Sequence, residues 1–498
     1  MVNSFFVLPM ITDYKKKVVL LGFFILLVTF QLIVQLSSSF AFGADGYYYA
    51  AQVNSYVTKG RFFSPDVSPI LYGLVYFSKL GNNIVVTNKV FVSLLVGFLF
   101  LASYRLAFHL TNQVFTSILF GLIFVSSSFL PHFSFNFIKN LGGILFFILF
   151  LTEILILEKK ENQKKLINYI RLVFILGLVF LSHKITAGIS LCFLLPWIWK
   201  QIQFQKKYGM YLFVAIPFLL LGLTFIFPNI LHWNDIKTIL LEDLNFKILS
   251  PFYQYTKLYP EFALEQILFF LSPWIYLLTR SKLKNFQKSF YDKLFVLFFL
   301  LSLPIFSYTA FSFPFRMFLL IFIPGTILLL PSLTKIKSKW MVSLLCVLIL
   351  PYQYFTMNRG KEFNNQDYKL YSILLPLFQF PKDTLIIVHQ GFDYFICYHK
   401  AGDAFHFLQE EKHKNRPIYR IAYGVSAEDY KTFLPKDTKI QYLPGFYSVL
   451  EESKWQEFLE KLPAESKKRI LDWKNPNTHR TNTMLRNETF KEKSKKIL

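Results

Sequence analysis

The feature that most constrains this chain is a series of apolar blocks, each long enough to cross or nearly cross a bilayer. A membrane-spanning helix needs about 20 residues, and fewer where the bilayer is thin or the helix end is buried in protein. Eleven blocks fit: Val18–Phe40, Asn88–Phe108, Val114–Leu130, Leu141–Leu157, Ile170–Leu181, Ile185–Trp199, Met210–Phe227, Leu264–Leu278, Leu294–Phe311, Met317–Leu330 and Met341–Phe355. Of the 498 residues, 54% are hydrophobic and only 17% charged, against about 25% charged in soluble domains. Disorder, a collagen-like fibre and a disulfide-stapled secreted module are excluded. The sequence predicts a polytopic α-helical membrane protein with about eleven transmembrane helices. The first block is too long for the apolar core of a cleavable signal peptide, and no small-residue cleavage site follows it.

The same chain is strongly basic, with 54 Lys and Arg against 30 Asp and Glu and a formal net charge of +24. Nucleic-acid binders seldom carry so much apolar surface, so no nucleic-acid partner is expected. Cationic loops on one membrane face explain the charge instead. With the N-terminus cytoplasmic, the inner loops are dense in lysine and arginine: Glu158–Tyr169, Lys200–Gly209, Thr279–Lys293 and Pro331–Trp340. The alternate loops carry cations thinly or singly, as at Lys139, Lys184 and Arg316. Basic flanks on both sides of Ile170–Leu181 and Ile185–Trp199 favour a hairpin over one continuous helix. Pro69–Leu80 is too short to span and reads as a helix at the outer interface.

Residues 1–356 thus form the transmembrane region, with a large first outer loop at 41–87. Residues 357–463 hold short β-like runs (Leu385–His389, Ile418–Ala422, Lys439–Leu443) and an amphipathic helix near Tyr447–Leu462, a small C-terminal soluble α/β domain. An odd number of spans makes that domain extracytoplasmic. Residues 464–498 are a basic polar tail suited to anionic lipid head groups. The richness in Phe, Ile, Lys and Asn suits an AT-rich genome and, with the loops, a bacterial cytoplasmic (inner) membrane.

The segment after the first block carries the most chemistry. Asp45 lies within a few residues of the expected membrane exit, flanked by Gly43 and Gly46, which permit a tight turn and close approach of a ligand. A carboxylate there is placed to act as a general base. It is placed equally well to cap the helix that begins at Gly46, a role worth about 1 kcal/mol. The residue chemistry leaves both readings open.

The order of features is wider than this one residue. A first span is followed at once by Asp45-Gly-Tyr-Tyr-Tyr-Ala-Ala-Gln52, which includes Tyr48, and then by Lys59-Gly60. Ser68-Pro-Ile-Leu-Tyr-Gly-Leu74 comes next, and a second span ends in Tyr104-Arg105. This layout resembles the GT-C superfamily of membrane glycosyltransferases, in particular the protein mannosyltransferases and the aminoarabinose transferases. The likeness covers residues 10–330 by layout and rests on 40–110 by motif. It implies a GT-C-like fold, a sugar donor carried on a polyprenyl phosphate, and Asp45 as the catalytic acidic residue. The family also places a second acid in the loop after the third span. Here that loop reads Pro131-His-Phe-Ser-Phe-Asn-Phe-Ile-Lys-Asn140, with Lys139 and Asn140 and no acid. The departure argues against a metal bridging two carboxylates, and no cofactor is called.

Other polar residues at the outer ends complete the candidate set. Lys139 reads either as a donor-phosphate ligand or as a side chain snorkelling to head groups. Lys184 and His183 sit at the hairpin tip, where ionisable groups below the membrane surface often mark function. Arg316, in Phe313-Pro-Phe-Arg-Met317, is a second phosphate candidate through its planar fork. Asp66 is a weaker acidic candidate than Asp45. The loop Pro228–Ala263, with His232, Asp235, Glu242 and Asp243, is a candidate cover for the site. Glu153 is expected at the cytoplasmic surface, His132 in a turn, and Cys192 and Cys346 in the core. Three cysteines without a CxxC imply neither a disulfide framework nor a zinc site.

These readings converge on an integral membrane glycosyltransferase. It would move a sugar from a polyprenyl-phosphate-linked donor to a lipid, glycan or protein acceptor at the outer face of the cytoplasmic membrane. The alternatives are a lipid or polysaccharide transporter, a polymerase or ligase of surface polysaccharide, and an inactive GT-C relative. A transporter calls for charge near the midplane and helices broken by Gly or Pro in matching halves. The spans read as nearly free of charge, which favours an interfacial enzyme.

Overall fold

A computed structural model describes residues 14–43, 45–64, 66–158, 166–203, 259–302, 313–336, 338–363, 368–377, 380, 384–389, 391–400, 403–405, 416–444 and 447–471. The expected span Met210–Phe227, the end of Leu294–Phe311, loop residues 228–258 and tail residues 472–498 lie outside that set. The chain divides into two compact units, one made of Met1–Ser37, Pro65–Tyr76 and Lys89–Gly360, the other of Ser38–Ser64, Phe77–Asn88 and Lys361–Leu498.

The first unit is helical. Among the described residues, six helices are long and apolar enough to cross a membrane: Lys17–Leu36, Ile84–Thr111, Ile138–Leu157, Pro260–Arg280, Phe315–Leu333 and Trp340–Lys361. Shorter apolar helices cover Pro69–Ser78, Val114–Val125, Leu166–Ser182 and Lys184–Trp199. Local chemistry explains where expected spans are cut. The block from Val114 stops at Val125 before three serines, and a separate short helix, Leu130–Phe135, opens with Pro131 in its first turn. The block around Met317 breaks between the Phe313–Leu319 and Phe322–Leu333 helices. Pro324 cannot donate to the Leu320 carbonyl, and its ring crowds that position, so the ladder opens there.

The Ile138–Leu157 helix is the centre of this unit, with 94% of its apolar window buried. It packs along Leu166–Ser182 and also touches the Lys184–Gln203 helix. The Lys17–Leu36 and Trp340–Lys361 helices are only 28% and 33% buried. Their apolar outer faces suit lipid, where association depends on close packing and not on hydrophobic transfer. Gly97 provides such a contact, since a Cβ there would meet Phe24 and Val28 at 2.6 Å.

The spans are not free of charge. Glu153 does not reach a surface: its side chain is fully buried, and its carboxylate takes Arg105 at 2.6 Å and Arg171 at 3.7 Å. Isolated, such a carboxylate would be prohibitively costly in hydrocarbon, and two guanidinium groups from neighbouring helices offset that cost.

The second unit is an α/β layer structure. Its five-stranded sheet runs in the order β2-β1-β3-β5-β4, with β1 Leu385–Ile387, β2 Asp403–Phe405, β3 Ile418–Tyr423, β4 Gln441–Leu443 and β5 Tyr447–Glu451. β1 pairs in parallel with β2 and β3, while β5 is antiparallel to β3 and β4. The helix expected over Tyr447–Leu462 is therefore a strand followed by a shorter helix, Glu452–Lys461. The reason is period two: Tyr447 and Val449 face one core, and Leu450 faces the other. The first core holds Tyr368, Tyr371, Phe392 and Phe395 together with Tyr47, Ala50 and Ala51 from the Gly46–Lys59 helix. The segment after the first span is thus part of this unit's interior.

Candidate functional site

The N-terminal turn of the Ile138–Leu157 helix gathers most of the predicted site residues. Lys139 forms an ion pair with Asp66, and Asp66 also accepts a hydrogen bond from the Ser68 amide at 2.8 Å. Arg316 lies over the Phe137 ring, 4.7 Å from its centroid, which brings its guanidinium to the same turn. His183 is the one residue between the Leu166–Ser182 and Lys184–Gln203 helices that leaves helical geometry. Arg316, Lys139 and Lys184 all lie close enough to His183 to act on it electrostatically.

Two adjacent glycines permit this gathering. A Cβ on Gly142 would stand 2.2 Å from Ile70 Cδ1, so the helix that follows Asp66 approaches the backbone directly. A Cβ on Gly143 would stand 2.8 Å from both His183 Cβ and Thr186 Oγ1, so the His183 corner rests on the same turn. Any larger pair would hold Asp66 and His183 away from Lys139.

Among the described residues the charge around this turn is unbalanced, with three cations, Lys139, Lys184 and Arg316, against the carboxylate of Asp66. Several buried polar atoms here have no hydrogen-bond partner: Asn140 Nδ2, His183 Nδ1, Ser182 Oγ and Arg316 Nε. Unmatched donors beside excess positive charge suit an anion with several acceptor oxygens, such as a phosphate. Among the described residues no three His, Cys, Asp or Glu side chains gather, and Lys139 and Asn140 are the polar residues in the first turn of the Ile138–Leu157 helix.

Asp45 and Tyr48 belong to the second unit. Asp45 occupies the N-cap position of the Gly46–Lys59 helix, yet its carboxylate makes no capping hydrogen bond. The turn before it is tight: Gly43 has φ 77, in the left-handed region, and a Cβ on Gly46 would touch Ala41 Cβ at 2.9 Å. The Tyr368 hydroxyl donates to the Gly43 carbonyl at 2.7 Å. Burial holds that phenol protonated well above its ordinary range, and Tyr371, Tyr47, Asp45 and Asp393 push the same way. Tyr48 has a structural part, accepting from Gln52 Nε2 at 2.8 Å, while Gln52 also binds both polar groups of the Ser64 backbone.

Sequence reasoning missed Glu265. It lies in the first turn of the Ala263–Arg280 helix and accepts from Ser127 Oγ at 2.7 Å, the Ser128 amide at 3.0 Å and Tyr352 Oη at 2.7 Å. An acid opening an apolar span was the available signal. His132, expected in a turn, is buried in the Leu130–Phe135 helix, with its ring edge-on to Tyr259 and Phe315.

A multi-spanning helical unit followed by a small sheet-containing unit is an architecture already seen in a solved membrane protein. ArnT from Cupriavidus metallidurans, crystallised bound to undecaprenyl phosphate, superposes with a TM-score of 0.54 over 88% of this chain and 98% of that one. The two sequences are 12% identical, so what they share is the fold. No protein-family profile matches the sequence, and no curated protein matches it either.

Proposed function

We propose that this protein is an integral membrane glycosyltransferase. It takes a sugar from a polyprenyl-phosphate carrier and transfers it to a lipid, glycan or protein acceptor at the outer face of the cytoplasmic membrane. The observation that carries the reading is the unbalanced cluster of Lys139, Lys184 and Arg316 around His183, in a fold shared with a protein crystallised on undecaprenyl phosphate.

The chemistry asked of the residues is simple. An acceptor hydroxyl or amine attacks the anomeric carbon and gives its proton to a carboxylate. The bond from that carbon to the phosphate oxygen breaks, and its electron pair stays on the phosphate. The three cations stabilise the charge that develops there, a contribution of about 2.7–4 kcal/mol for each well-placed donor. His183 and Asn140 supply further hydrogen bonds. Asp45 is the proposed base, supported by its motif and by its place at the start of the Gly46–Lys59 helix. Asp66 positions Lys139 through their ion pair.

The test is transfer from a polyprenyl-phosphate sugar by purified protein in lipid nanodiscs. Asp45→Asn is expected to abolish transfer while insertion and expression stay normal; full activity in that variant would remove Asp45 from the base role. Asp66→Asn is expected to weaken donor affinity more than turnover. A transport reading gains one observation, the charged groups buried within the spans. Those groups are held in ion pairs with one another, and a lipid-flux assay in liposomes separates the two readings.

A further inference from the structure

A cavity of about 560 Å³ opens between the Lys184–Gln203 and Asn285–Leu301 helices, well inside the size range of ligand pockets. On the first helix its wall is Cys192, Phe193 and Pro196. On the second it follows one face, from Lys288, Ser289, Asp292 and Lys293 to Val296, Leu297 and Leu300. It is not part of the cluster around His183: Cys192 lies two helical turns beyond Lys184.

The groove is polar at one end and apolar at the other. Asp292 receives Arg280 Nε and Nη2 at 2.8 Å each and Tyr276 Oη at 2.7 Å. Its negative charge is thereby committed to Arg280, and the described lining of the mouth keeps two cations, Lys288 and Lys293. From Lys288 to Leu300 the helix rises about 18 Å. That is slightly more than half of the hydrocarbon thickness of about 30 Å, the depth of one leaflet. Pro196 shapes the opposite wall, because it removes the helix hydrogen bond that the Cys192 carbonyl would otherwise accept. Val296 and Leu300 are exposed at the protein surface, so the groove can be entered sideways from lipid.

We infer that this groove is a binding site for one anionic phospholipid. Its phosphate sits at Lys288 and Lys293, and one acyl chain lies along Val296, Leu297 and Leu300. Charge complementarity selects the head group, and a depth of one leaflet selects a membrane lipid over a soluble phosphate.

The protein carries its own reporter. Cys192, expected in the core, is exposed on the groove wall, while Cys346 and Cys397 are buried. Full-length protein in uncharged detergent is labelled at Cys192 with a maleimide while lipid is titrated. Phosphatidylglycerol at ten times its dissociation constant is expected to slow labelling about tenfold, and phosphatidylcholine to leave it unchanged. The double variant Lys288→Gln/Lys293→Gln should lose this protection. Leu300→Trp, which fills the apolar end and keeps both lysines, should lose it as well. Equal protection by phosphatidylcholine, protection by inorganic phosphate alone, preferential protection by undecaprenyl phosphate, or protection unaffected by either variant would each overturn the assignment. No sugar donor is present in this assay, so its outcome is independent of the transferase reading.

Discussion

The two ends of the Ile138–Leu157 helix hold charge in opposite ways. At its start, Lys139 pairs with Asp66 while Lys184 and Arg316 add two more cations, and buried donors nearby have no partner. About 21 Å along the same helix, Glu153 is buried between Arg105 and Arg171. The second cluster holds its one acid between two guanidinium groups inside protein, and what it does is join three helices. The first is unbalanced and partly open, with Lys139 26% and Asp66 13% exposed. The Glu153 cluster is enclosed among packed helices and ties them together, whereas the Lys139 cluster is partly open and is the proposed ligand site.

The comparison can be broken from either side. Glu153→Gln removes the carboxylate facing the buried Arg105 and the half-buried Arg171 and should cost about 3–5 kcal/mol, read as a large drop in unfolding temperature in detergent. Replacing all three members with apolar residues of similar size should cost far less. If the triple variant is the worse of the two, the cluster does more than hold helices. At the other end, Arg316→Gln should lower transfer by about 10²–10³ in kcat/KM, with unfolding temperature unchanged. A stability loss without an activity loss there would exchange the roles of the two ends.

Gly143→Ala is a finer probe of the same contrast. Its Cβ would push the His183 corner off the Lys139 turn, costing about 1–3 kcal/mol by overpacking. Transfer should fall more than stability, because the cations separate before the helices do. Thermal unfolding and kcat/KM measured on one preparation decide this.

The smallest expected effect lies in the second unit and serves as a control. Tyr368 stays protonated in the folded state above its unfolded value of about 10. The unfolded chain therefore binds fewer protons above that pH, and stability falls as pH rises past it. The slope is one proton, about 1.4 kcal/mol per pH unit. Tyr368→Phe should remove that slope in alkaline denaturation and leave neutral-pH transfer nearly intact.

Several of these features were legible in the sequence. Among the described residues the apolar blocks are helical, though those starting at Val114 and Met317 are broken, and Pro69–Leu80 was recognisable as a short helix. The candidate cations Lys139, Lys184 and Arg316 were visible as isolated charges in apolar surroundings. Other features were not legible. The part Asp66 plays in holding Lys139 was not visible, because their ion pair is a contact across 73 residues of chain. Glu153 was placed at a surface because its partners lie 48 and 18 positions away. Tyr447–Glu451 looked helical beside an amphipathic stretch and is a strand because β3 and β4 lie on either side of it.

By itself, the sequence determined that this chain is a multi-spanning helical protein, and which polar residues would stand at the ends of its helices. Those are local quantities, since apolar length and charge spacing are set by neighbours in the chain. Only the tertiary structure decided which charges meet, which are cancelled, and that the Gly46–Lys59 helix helps build the α/β unit. Partner choice between ionic groups depends on distances through space. Those distances were settled by close packing at a few positions, among them Gly142 and Gly143, that composition does not reveal.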